Sequence, residues 1–113
     1  MNQIGDEGIP HLHSFPQLKK LYLWTCDISA KGVEALSKLS FSPQLQILVL
    51  GRIVDNLDSN NIGDEGISHL NKFSSLTELC LYQCGIGYKG VESLSEMHFP
   101  KLQTLDLRKI MKY

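Results

Sequence analysis

The chain repeats itself. Shifted by 58 residues, positions 2–41 fall on positions 60–99 with identity at about 22 of 40 sites, and a period of this kind constrains the fold more than any local motif. "NQIGDEGIPHL" at residues 2–12 returns as "NNIGDEGISHL" at residues 60–70. The shared residues form a pattern: Leu18, Leu21 and Leu23 return as Leu76, Leu79 and Leu81, followed by Cys26 and Ile28, then by Cys84 and Ile86. Within each unit the spacing recurs in weaker form as Leu45, Leu48, Leu50 and as Leu102, Leu105, Leu107, which makes four copies of L-x-x-L-x-L.

The alternation L-x-L puts two leucines on one face of a short strand and turns the residues between them to the other. Between the strands lie amphipathic stretches, Gly32–Leu39 with Val33, Leu36 and Leu39, and Gly90–Met97 with Val91, Leu94 and Met97. Apolar residues at i, i+3 and i+6 give helices packed on one side. Ser29 is placed to cap the first of them. Asp6 and Asp64, each ahead of "EGI", are placed to cap the helical turn they open, accepting its N–H groups and offsetting its dipole.

L-x-x-L-x-L-x-x-(N/C)-x-I followed by a glycine-containing helix start resembles the leucine-rich repeat. "CDISAKGVEAL" and "NNIGDEGISHL" resemble its ribonuclease-inhibitor-like class, found in nucleotide-binding immune receptors. The resemblance covers nearly the whole chain and implies an α/β leucine-rich-repeat solenoid, a horseshoe segment with a parallel sheet on its concave face and helices outside. Residues 1–113 are expected to form a single domain of about four repeats. From Leu23 to Leu50, Leu81 and Leu107 the strand spacings are 27, 31 and 26 residues, so the long middle interval assigns an insertion to residues 51–57, "GRIVDNL". Neither end of the sequence offers the polar capping repeat that covers a terminal core. The expectation is an uncapped chain that self-associates through its ends or forms part of a longer solenoid.

Charge and composition exclude several classes. The net charge is −1 with acids and bases interleaved, so nucleic acid is not an expected partner. No apolar run reaches the roughly 18 residues of a transmembrane helix and the N-terminus lacks a secretory signal, so no membrane role is expected. Three cysteines, an odd number, with no N-x-S/T sequon fit a reducing compartment, and a cytoplasmic location is expected.

No cofactor, metal or catalytic residue is expected. Asp64 and Glu65 are adjacent, hence about 100° apart on a helix, and serve better as a cap and a first-turn acid than as a cation site. "DSNNIGDEGISH" imitates a calcium loop at Asp58, Asn60 and Gly63, but Ile62 and His69 stand where that loop needs oxygen ligands. Cys80 and Cys84, with Cys26 and His98, lack tight zinc spacing; Cys26 and Cys84 read as buried turn residues, and Cys80 has no histidine paired with it as a base. An enzyme is the weakest reading, since the repeat explains nearly every polar residue otherwise.

The strand residues facing away from the core are the best site. They include Lys20, Tyr22 and Trp24; Ile47, Val49, Gly51 and Arg52; Glu78, Cys80 and Tyr82; and Thr104, Asp106 and Arg108. Parallel pairing should align Tyr22, Val49 and Cys80 in one row and Trp24, Gly51 and Tyr82 in another. This aromatic and aliphatic patch, with Arg52 and Arg108 as its rim, is the expected partner-binding surface, formed by Tyr22, Trp24, Ile47, Val49, Arg52, Cys80, Tyr82 and Arg108. The plainer alternative is that these side chains only cover a sheet. The resemblance implies a protein partner and the sensing or autoinhibitory repeat region of an immune-receptor-like protein. "KGVEALSKLSFSPQLQILVL" also resembles the repeats of F-box proteins, which present substrates to ubiquitin ligases.

Overall fold

Each copy of L-x-x-L-x-L becomes a strand centred on its second leucine. A computed structural model describes residues 4–23, 27–51, 61–81 and 84–107. In it the strands are β1 (Lys20–Tyr22), β2 (Ile47–Gly51), β3 (Glu78–Leu81) and β4 (Thr104–Asp106). They pair in chain order and all in parallel. Parallel neighbours in direct succession require a crossover that carries the chain back to the starting end. Helices supply it: α1 (Gly5–Gly8) precedes β1, and α2 (Ala30–Ser37), α3 (Gly63–Ile67) and α4 (Tyr88–Ser95) lie in the three crossovers. Short 3-10 segments, Ile9–Ser14 and Ser68–Lys72, extend α1 and α3 toward the sheet. Consecutive helices pack side by side, so the molecule is an α/β repeat fold with a sheet layer and a helical layer.

The core lies between the layers and is built almost wholly from the repeated positions. Leu45, Leu48, Leu50, Leu76 and Leu79 are completely buried, as are Phe41 and Phe73 at equivalent places below them. Val33, Leu36, Ile67 and Leu70 close the core from the helical side. Fully burying one such side chain contributes on the order of 1.5–3 kcal/mol. Among the described residues Ser42 is the one buried polar residue, and its hydroxyl donates to the Leu36 carbonyl at 2.5 Å.

The amphipathic stretches are helical with shifted limits. Instead of Gly32–Leu39 and Gly90–Met97, the helices start and end two residues earlier. They begin directly after Ser29 and Gly87, and they end because Lys38, Leu39 and Met97 donate to carbonyls three residues back, tightening the chain out of the α-helix.

The aspartates are the main correction to the sequence reading. Asp6 and Asp64 lie inside the first turns of α1 and α3, whose N-caps are Ile4 and Ile62 with no side-chain cap bond. Each carboxylate reaches instead to the helix of the following crossover. Asp64 Oδ1 accepts from Gly87 N–H at 2.7 Å and from Gly90 N–H at 3.0 Å, capping α4, whose own N-cap residue has no side chain. In the first unit Ser29 supplies the cap, accepting from Lys31 N–H, while Asp6 accepts from both the N–H and the hydroxyl of Ser29. This arrangement accounts for the glycine in "AKGV" and "YKGV". A Cβ on Gly90 would stand 2.5 Å from Asp64 Oδ1 and 2.6 Å from Ile86 Cγ2, and one on Gly32 would collide with Asp6 in the same way.

Other side chains tie adjacent crossovers. Gln44 Nε2 donates to the carbonyls of Pro16 and Leu18, and Thr77 Oγ1 donates to that of Gln46. Gly51, expected to open the insertion, is instead the last residue of β2; residues 52–57 lie outside the described residues.

Replacing Asp64 by alanine should cost about 1–3 kcal/mol in urea unfolding, because two N–H groups and one end of the α4 dipole lose their partner. Asp64→Asn, which keeps an acceptor oxygen, should cost less than half as much; a loss below about 0.5 kcal/mol for the alanine variant would contradict the cross-repeat cap.

Candidate interaction face of the sheet

Strand alternation turns one set of side chains away from the helices, and the pairing register arranges that set in rows. Lys20, Ile47, Glu78 and Thr104 form the first row, and Tyr22, Val49, Cys80 and Asp106 the second. Neighbours within a row are about 4.8 Å apart along the hydrogen-bonding direction. Lys20 and Thr104 are exposed, Ile47, Glu78, Cys80 and Asp106 half-buried, and Tyr22 is 49% exposed. The face runs from a cation on β1 to carboxylates on β3 and β4.

Two expected features differ. Val49 has the predicted neighbours but is only 7% exposed: a short branched side chain in a central strand, between Tyr22 and Cys80, offers little surface to a partner. The second expected row is broken, because the register slips between Val49 and Gly51 and puts Gly51 opposite Leu81. Such a slip places one extra residue on β2 and locally increases its twist. Trp24, Arg52, Tyr82 and Arg108, the remaining expected contacts, lie outside the described residues.

The cysteines are part of the scaffold. Cys80 Sγ donates to the Gly51 carbonyl at 2.9 Å, linking β3 to the end of β2. Cys84 is buried, and its thiol is pushed from 9.0 up to about 12, first by burial and then by the neighbouring Cys80. A thiol held protonated at neutral pH is neither a nucleophile nor a ready metal ligand. Cys26 lies outside the described residues. Among the described residues no three His, Cys, Asp or Glu side chains gather as a metal site would require, and no helix is long and apolar enough to cross a membrane.

A family model described as the leucine-rich repeat matches residues 56–70 and 74–95. The matched segments span α3, β3 and α4, the same helix–strand–helix succession that the internal duplication defines. No curated protein matches the chain. Over those two segments the chain is similar to leucine-rich repeats, modules that generally mediate protein–protein interaction and are typically without enzymatic activity.

Cys84 gives a pH dependence of defined sign. Its folded pKa lies above its unfolded value, so the unfolded chain releases the proton first and stability falls as pH rises from about 9 toward 12. Between pH 8 and pH 10 the loss from this group should be on the order of 1 kcal/mol. Urea midpoints of the native chain and of Cys84→Ala, each measured at both pH values, check this: the alanine variant should lack that part of the slope, and equal slopes would contradict it.

Proposed function

We propose that this chain is a protein-recognition segment of a leucine-rich-repeat solenoid, binding its partner across the outer, concave face of the sheet. The observation that carries the reading is the contrast between the two copies. On the inner side Leu21 matches Leu79 and Leu23 matches Leu81, whereas on the outer side Lys20 is replaced by Glu78 and Tyr22 by Cys80. Packing explains the sameness inside; no packing demand explains a charge reversal outside, where residues are free to encode a partner. A half-exposed tyrosine on the first strand of this face supports the reading, since aromatic side chains on open surfaces are favoured binding anchors. The proposed surface extends to Trp24, Arg52, Tyr82 and Arg108.

The role proposed on the ribonuclease-inhibitor-like resemblance is sensing or autoinhibition within an immune-receptor-like protein of the cytoplasm. Cys80 and Cys84 as reduced thiols accord with that compartment.

Photocrosslinking tests the face directly. Benzoylphenylalanine at position 20 or 104 on the strands should capture a partner that the same group at position 31 or 89, exposed on the helices, does not. With that partner purified, Tyr22→Ala should weaken binding about tenfold or more. Equal capture from the helical positions, or unchanged affinity on Tyr22→Ala, would place recognition elsewhere.

A further inference from the structure

The seam between β2 and β3 is formed by two apolar surfaces, both of which occur a second time, only partly covered, at the edges of the sheet. On its β2 side Phe41, Leu45 and Leu48 are completely buried, and on its β3 side so are Leu70, Phe73 and Leu76. The 58-residue shift, 57 beyond Phe99 because one residue is lost there, maps the first set onto Phe99, Leu102 and Leu105 next to β4. It maps the second set back onto Leu12, Phe15 and Leu18 next to β1. The counterparts are identical residues in a different state: Phe73 is fully buried and Phe15 is 56% exposed, Leu48 is fully buried and Leu105 is 43% exposed. Beside β4 an apolar groove of about 170 Å³ opens between Val91, Leu94, Phe99, Leu102, Leu105 and Leu107. A second open surface is lined by Phe15, Pro16 and Leu18 beside β1.

We propose that copies of this chain stack head to tail, the β4 edge of one receiving the β1 edge of the next by repetition of the internal β2–β3 seam. The occupant of the groove is specified because the surface that already fits its twin is carried on the same chain. Applied between copies, the internal register pairs Thr104 with Lys20, Leu105 with Leu21 and Asp106 with Tyr22, as Ile47 pairs with Glu78 and Leu48 with Leu79. Gln46 O accepts from the N–H groups of Thr77 and Glu78 at 2.7 and 3.2 Å, and Gln103 O would accept those of Lys19 and Lys20 in the same manner. Such an interface is heterologous, leaving one free edge of each kind, so assembly continues beyond the dimer unless the rotation closes a ring.

Two exposed residues separate the two edges. Phe15→Glu blocks the β1 side and Leu105→Glu the β4 side, and since both side chains are about half exposed each variant should keep the native far-ultraviolet spectrum. In sedimentation velocity from about 1 to 200 µM, the native chain should grow past dimer with concentration while each variant alone stays monomeric. Mixed at equal ratio, the variants should form one heterodimer and stop, joined through the intact β4 side of the first and the intact β1 side of the second. A native chain monomeric throughout, a single variant that still dimerises with itself, or a mixture that stays monomeric would each overturn the proposal. None of these readings depends on a binding partner, so they are separable from the test of the recognition face.

Discussion

No single repeat of this chain can bury its own leucines, and every other feature depends on that constraint. A strand of three to five residues with one short helix presents an apolar edge to each side, and only the next repeat covers it. Leu48 is completely buried on β2, which β1 and β3 flank, in one apolar cluster with Leu70 and Phe73. Register follows from the same demand. In a period-2 strand a slip of one residue would turn each leucine outward, so the inner ladder fixes which side chains stand in the outer rows.

Polar contacts then set the spacing that burial alone leaves loose. Hydrophobic attraction is non-directional, whereas a carboxylate oxygen 2.7 Å from one N–H and 3.0 Å from another admits little freedom. Asp64 fixes where α4 begins relative to α3, and Asp6 with Ser29 does the same for α2 relative to α1. Gln44 and Thr77 perform the corresponding task in the crossovers and at the strand entrances. The first turn of each helix is therefore a joint between repeats, and the glycine opposite the carboxylate is part of it.

Much of this was legible in the sequence because the inner face is written in residues with one physical role. Leucine at period 2 and valine or leucine at i, i+3 have few alternatives once four copies agree, and the parallel order, the inner ladder and the row of Tyr22, Val49 and Cys80 follow from them. The aspartates were misread because an acid ahead of a helical turn looks like a local cap, while its actual donors lie 23 and 26 residues on, at a distance periodicity does not encode. The available signal was the glycine two or three residues inside each following helix, where the pattern permits a larger residue and the fold does not. Val49 and Gly51 failed for another reason: alternation tells which way a side chain points, not whether its neighbours screen it or whether the next pair keeps step.

The duplication also separates the surfaces on which the two proposals rest. Recognition would use the outer rows, whereas stacking uses the sheet edges and the apolar residues beneath them, so neither excludes the other. Stacking would in fact prolong the rows, since Thr104 of one copy is followed by Lys20 of the next and Asp106 by Tyr22. A partner lying across the strands would then meet lysine, isoleucine, glutamate and threonine in turn and again in the same order. That order is polar. An extended partner would be aligned in one direction, with its acids over β1 and its bases over β3 and β4, and its affinity would rise with the number of copies it spans.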